Sequence, residues 1–364
     1  MSQVLVVDQE PPQACRDGGA ARMVALLRLL RNDGHSVTFA SRRPRASSQA
    51  GPEEQLASLG VTTVRCPIDD WLVTHTPDIV IASRLPVADE VLPIVKTFSP
   101  TSRFVYDATH VEYLAKYRLA KLTGNRPLLA AAVQDKSAER KVVAAADAVV
   151  AVSEEDAGEL RGLDAEANIH IVPAVHAHGD SEDLATGPRT GIVFLGYLGM
   201  PENEIAVRRL VDRVWPLIES VAGPTRLTVI GAAAPAWLLA AAADRPRLAV
   251  TGQLADIDRT LREAAVMVVP LTGGSGVKTK VLHAFARRLP VVATADGLRG
   301  IPAVHGVHAL YAQSDSDMAG CVAQLVESPT LGTELADRAA ELLRARFNDD
   351  VNRAALCAAL ECHG

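Results

Sequence analysis

The chain has 364 residues, 48% hydrophobic and 22% charged, a globular composition too long for one comfortable core and suited to two domains. Its 37 basic and 43 acidic residues give a net charge of −6, and residues 1–180 hold 19 basic and 23 acidic groups against 18 and 20 in the rest. That even, acidic balance argues against nucleic acid as a partner and against anchoring mainly by a basic surface. Lysine is scarce, at 7 against 30 arginines, and after Lys141 only Lys278 and Lys280 occur. The five cysteines (Cys15, Cys66, Cys321, Cys357, Cys362) are scattered and form no C-x-x-C pair, so neither a disulfide framework nor a zinc site is expected. A cytoplasmic setting fits them. The opening Met-Ser-Gln-Val-Leu-Val-Val-Asp lacks the basic region of a signal peptide. The longest uncharged stretch, Leu227 to Ala243, is broken by Gly231 and Pro235 and reads as strand, turn and helix. No transmembrane segment is expected, while transient membrane contact stays open.

Short β-branched runs alternate with helical patterns along the chain. Val4–Val7 precedes an amphipathic helix over Ala20–Arg31, stopped by Asp33-Gly34. Val37–Ala40, Val61–Val64, Ile79–Ala82, Phe104–Tyr106, Ala148–Val152 and Ile169–Val172 continue the series. Residues 174–190 have no periodicity and read as a linker. The alternation restarts with Ile192–Leu195, Leu227–Ile230, Leu248–Thr251, Val266–Val269, Val291–Thr294 and His308–Tyr311. Helices over Glu334–Phe347 and from about Asp350 end the chain. Strands separated by helices predict parallel sheets, and two such series predict an α/β protein of two Rossmann-like domains facing a cleft. The expected boundaries are 1–175, a linker over 176–190, 191–345, and a C-terminal helical tail over 346–364.

Three constellations carry chemistry. The loop Glu10–Met23 places Asp17 as a helix cap before Gly18-Gly19, where bare N–H groups favour an anion or a sugar oxygen. It does not satisfy G-x-G-x-x-G, and a simple capped turn is its bland reading. The second is Pro270-Leu-Thr-Gly-Gly-Ser-Gly-Val-Lys-Thr-Lys280, between a strand and a helix expected over Val281–Arg288. Its amides, the helix dipole and the lysines could together hold a diphosphate, although it is not a Walker A loop. The third is Tyr106-Asp-Ala-Thr-His-Val-Glu-Tyr113, which presents Asp107, His110 and Glu112 from a strand end.

In order and spacing these pieces resemble the retaining glycosyltransferases of family 4, which have the GT-B fold. The resemblance spans nearly the whole chain: Gly34-His-Ser-Val-Thr38, Asp107–Glu112, Ala146–Ser153, Ile171-Val-Pro173, Phe194-Leu-Gly196 with Asn203, Val229-Ile-Gly231, Val250-Thr-Gly252 with Asp256, Gly273–Lys280 and Leu289–Thr294. It implies a hexosyltransferase-type enzyme moving sugar from a nucleotide diphosphate donor to a small-molecule or glycan acceptor, with retention and without metal or cofactor. A UDP-sugar is the first donor expected, with dTDP- and GDP-sugars as alternatives. A non-catalytic GT-B partner subunit is the rival reading, and a nucleotide-sugar epimerase a weaker third.

Residues and resemblance together give a site. Donor contacts are expected from Gly18, Gly19, Gly196, Gly231, Gly252, Gly273, Gly274, Ser275, Gly276, Val277, Lys278, Lys280 and His283. His110 would sit near the transferred sugar, with Asp107 or Glu112 orienting it, and Asp17, Arg22 and Tyr113 would border the acceptor. Lys278 is expected to carry more of the diphosphate than Lys280. Many members carry two glutamates where this chain has Ser275 and His283, and an Arg and a Lys where Tyr197 and Leu198 follow Gly196. A neutral imidazole accepts one hydrogen bond and donates one, so His283 suits either a 2′-deoxynucleotide or the 3′-hydroxyl of a uridine nucleotide. Arg42, Arg43 and Arg45 read as a solvated rim.

Overall fold

The computed structural model describes residues 1–12, 18–42, 51–173, 189–254 and 257–361. Asp17, Asp256, Arg43, Arg45, Cys15, Cys362 and nearly all of the expected linker lie outside them. The chain divides into two compact units, one of Met1–Val175, Ser275–Val277 and Asn348–Gly364, the other of His176–Gly274 and Lys278–Phe347.

In the first unit the β-branched runs form β1 (Gln3–Asp8), β2 (Ser36–Ser41), β3 (Thr62–Thr63), β4 (Ile79–Ser83), β5 (Arg103–Ala108), β6 (Ala148–Ala151) and β7 (Ile169–Ile171). They pair in parallel in the order β3-β2-β1-β4-β5-β6-β7. Alternate side chains of each strand enter opposite faces. Leu5, Val7, Val80, Ala82, Phe104 and Tyr106 pack in one core cluster, and Val4, Val6, Ile79, Ile81 and Val105 in the other. Both faces are covered, so the strands read as continuous apolar runs. The Asp349–Leu360 helix, expected as a tail, is part of this unit: Leu356, Ala359 and Leu360 enter the second cluster. Arg103 Nε donates to the Ala359 carbonyl at 3.1 Å, and Arg353 pairs with Asp33.

The second unit builds β8 (Ile192–Leu195), β9 (Leu227–Ile230), β10 (Leu248–Gly252), β11 (Val266–Val269), β12 (Val291–Ala293) and β13 (Leu310–Tyr311), ordered β10-β9-β8-β11-β12-β13. All pairings are parallel. Strand order reverses between β1 and β4 in one unit and between β8 and β11 in the other. Such switch points open a crevice at the carboxyl ends of the strands. Asp8, Ser83 and Asp107 stand there in the first unit; Gly196 and the loop after β11 stand there in the second.

Candidate functional site

In the first unit, β5 delivers Asp107 to its carboxyl end, where it is 1% exposed. Its Oδ2 accepts from Arg22 NH1 at 2.8 Å and from Ser83 Oγ at 2.7 Å. Arg22, expected on the acceptor side, comes from the Gly18–Asn32 helix, is 5% exposed and pairs with that carboxylate through one nitrogen, while its Nε and Nη2 are buried without a hydrogen-bond partner. Beside it Arg84 Nε donates to Asp8 Oδ1 at 2.9 Å. Burial raises the Asp8 carboxyl above its ordinary range despite Arg84.

His110 follows two residues beyond the strand. Of the two carboxylates expected to orient it, Glu112 does so: His110 Nε2 lies 2.9 Å from Glu112 Oε2, whereas Asp107 is held by Arg22 and Ser83. Thr109 Oγ1 is 3.2 Å from His110 Nδ1. Glu112 Oε1 also meets Lys116 Nζ at 3.2 Å, and Lys116 donates to Asp135 at 2.5 Å. Burial would lift the Glu112 carboxyl, but His110 and Lys116 outweigh it and hold it at about 2.

Sequence reasoning missed Glu139. The Glu112–Thr123 helix starts after Val111, which has no capping side chain. Glu139, fully buried on the Arg126–Ala145 helix, accepts from the backbone N–H groups of Glu112 and Tyr113, each at 3.2 Å, and from Tyr106 Oη at 2.9 Å. It thus serves as a cap from a distant part of the chain. Burial lifts its carboxyl to about 7 against those hydrogen bonds. No motif in the sequence marks it. Tyr113, expected at the acceptor, donates its hydroxyl to Glu159 Oε2 at 3.1 Å; burial and that carboxylate push the phenol up to about 12.

In the second unit Gly196 follows β8, and its N–H donates to the Ile230 carbonyl at 3.0 Å. Gly231 lies so close that a Cβ would come within 1.9 Å of the Gly196 oxygen, so no side chain fits. Gly231 N–H in turn donates to Gly252 at 3.0 Å. After β11, Gly274 and Gly276 adopt positive φ of 89° and 69°, conformations that favour glycine. The helix begins at Thr279, two residues before its expected start, and runs to Ala286 with Lys278 as its N-cap. Gly273 and Gly274 group with the second unit; Ser275, Gly276 and Val277 group with the first, where Ser275 Oγ donates to the Val111 carbonyl at 3.3 Å. Lys280 donates to Asn203 Oδ1 at 2.5 Å, and Asn203 Nδ2 to the Tyr197 carbonyl at 2.8 Å. Burial holds the His283 imidazole down at about 4, with the Arg287 charge acting the same way, so it is neutral at physiological pH.

Residues 189–328 match the family model of glycosyl transferases group 1. No curated protein matches the chain in sequence. Among solved structures, sucrose-phosphate synthase from Thermosynechococcus elongatus superposes with a TM-score of 0.77 at 15% identity, covering 98% of each chain. HepE from Anabaena in complex with UDP-glucose gives 0.70 at 14%, covering 98% of this chain and 99% of that one. A glycosyltransferase from Rickettsia africae gives 0.70 at 13%, over 98% and 97%. The two parallel sheets, each with its strand-end crevice, are those of the GT-B fold, and residues 189–328 of the second unit match the group 1 glycosyl transferase model.

Proposed function

We propose that the protein moves a sugar from a nucleoside diphosphate donor, a UDP-sugar in the first instance, to a small-molecule or glycan acceptor. The observation that carries this reading is the loop from Gly273 to Lys280 at the β11 end, where two lysines of a lysine-poor chain stand at a helix start, Lys280 beside Gly196 and Asn203 and Lys278 beside Gly274. A leaving diphosphate needs positive charge and aimed N–H donors, and this loop supplies both. The UDP-glucose in HepE, a protein of the same fold, favours a uridine donor.

His110, held by Glu112, is the group assigned to the transferred sugar, and the Gly18-Gly19 helix start is the second source of N–H donors. Transfer with retention would proceed by front-face attack, which needs no carboxylate nucleophile of the kind a retaining glycosidase uses. In this reading lysine charge and helix-terminal amides neutralise the leaving group, without a metal or a cofactor. His283, neutral and next to the loop, reads the ribose, and a 2′-deoxyribose donor is the alternative it allows.

A panel of UDP-, dTDP- and GDP-sugars tests the reading through thermal protection and donor hydrolysis. Protection with slow hydrolysis is the expected result. Protection with no turnover under any acceptor supports the non-catalytic rival, which Ser275 and His283 keep in view. Absence of both with all donors overturns the proposal.

A further inference from the structure

His110 stands in a short link, Thr109–Val111, between the end of β5 at Ala108 and the helix that starts at Glu112. The ends of so short a link set where the ring stands. Both ends converge on one carboxylate. On the strand side, Tyr106 Oη donates to Glu139 Oε1 at 2.9 Å. On the helix side, the Glu112 N–H donates to the same oxygen and the Tyr113 N–H to Oε2, each at 3.2 Å. Glu139 and Tyr106 are both fully buried.

The same helical turn grips the side chains. Asp135, four positions before Glu139, accepts from Lys116 at 2.5 Å, and Lys116 meets Glu112, the partner of His110. Lys136 Nζ lies 5.1 Å from the centroid of the Tyr113 ring. One turn of the Arg126–Ala145 helix therefore holds the start of the Glu112–Thr123 helix by its backbone and by its side chains.

A cap alone does not call for this residue. A serine or aspartate at the helix's own N-cap would meet one N–H without burying a distant charge. Here Val111 occupies that position, and the carboxylate comes from 27 positions away. Among the described residues its hydrogen-bond partners are those three donors, none of them a cation, so its burial costs stability. What it adds over a local cap is reach: strand, link and helix are tied through one group with an acceptor at each oxygen. Glutamine has one such oxygen, and its amide nitrogen would face a donor. A costly group kept beside a reaction site is kept for position.

We infer that Glu139 is a positioning residue for sugar transfer: by holding both ends of the Thr109–Val111 link, it sets where the His110 imidazole meets the transferred sugar. It acts through His110 and touches no substrate itself. The inference rests on the reading that assigns His110 to the sugar, and it adds the group that keeps the ring there.

A double-mutant cycle on donor hydrolysis tests it, with UDP-glucose, dTDP-glucose and GDP-glucose at pH 8. Glu139→Gln should lower kcat at least about tenfold and leave the donor KM within about threefold. In the His110→Ala background the same substitution should change kcat less than about twofold, because the group it positions is gone. A merely structural role would lower both backgrounds alike, so equal losses overturn the inference. An unchanged kcat in the otherwise wild-type chain overturns it too, as does a rise in KM alone. The donor reading survives each of those results. Tyr106→Phe removes one tie and leaves both N–H groups capped. It carries the same cycle should Glu139→Gln misfold, with a loss of about threefold that His110→Ala abolishes. If the wild type turns over none of the three donors, the donor reading falls and this inference with it.

Discussion

The strand ends of the first unit and those of the second solve the problem of charge in opposite ways. In the first, Asp107 has Arg22 and Ser83, Asp8 has Arg84, and a chain of contacts runs from His110 through Glu112 and Lys116 to Asp135. In the second, Lys280 has an amide oxygen and an aromatic ring. The first arrangement gives each of these carboxylates a cation, although Asp107 Oδ1 and Arg22 Nε and Nη2 are buried without a hydrogen-bond partner. In the second, Lys280 makes no ion pair among the described residues, and the Glu202 carboxylate acts on it only from a distance.

The largest expected effect breaks the first arrangement. Arg22→Met leaves Asp107 buried without its cation, which should cost about 3–5 kcal/mol in urea unfolding of the first unit. Lys278→Ala removes charge at the other region and should lower turnover at least tenfold, about 1.4 kcal/mol, with the fold retained by circular dichroism. Lys280→Met should leave thermal stability within about 1 kcal/mol of the wild type or raise it, because an enclosed charge without a counter-charge is costly to keep. A loss like that of Arg22→Met would show the two regions to be alike.

The smallest effects separate the two regions by the sign of their pH dependence. Glu112 is held at about 2, below its ordinary 4.5, so its stabilisation is present above about 4.5 and is lost as pH falls towards 2. Wild type and Glu112→Gln should therefore converge in melting temperature across that window. Lys280, brought down from 10.5 to about 7, binds more protons unfolded than folded between those values. The donor-free wild type should gain stability relative to Lys280→Met as pH rises from 7 towards 10. Glu139, lifted to about 7, should cost the wild type stability relative to Glu139→Gln as pH rises from about 4.5 to 7.

Much of the fold was legible because its signals are local. Ile192–Leu195, Leu227–Ile230 and Val266–Val269 have the expected bounds as strands, since a buried parallel strand reads as an unbroken β-branched run. Boundaries slipped at helix ends: the Thr279–Ala286 helix starts at Thr279, two residues before the expected Val281, with no side-chain cap to mark it. Asp107, His110 and Glu112 were legible as a strand-end group, but their division of labour was not. Both carboxylates lie within three residues of His110, and what separates them is Arg22, 85 positions away from Asp107. Asn203 had a place in the family pattern and none in the expected site, because its partner Lys280 is 77 positions further on.

By itself, then, the sequence determined the alternation of strands and helices, the two sheets, the glycines at their crevices and the lysine pair, all of which follow from periodicity and turn chemistry within a few residues. Tertiary structure alone decided which charges meet. It set Arg22 on Asp107, Glu112 on His110, Glu139 on a helix start and Asn203 on Lys280. Desolvation and Coulomb energy depend on distance in space, and parallel crossovers bring together residues that no sequence window contains.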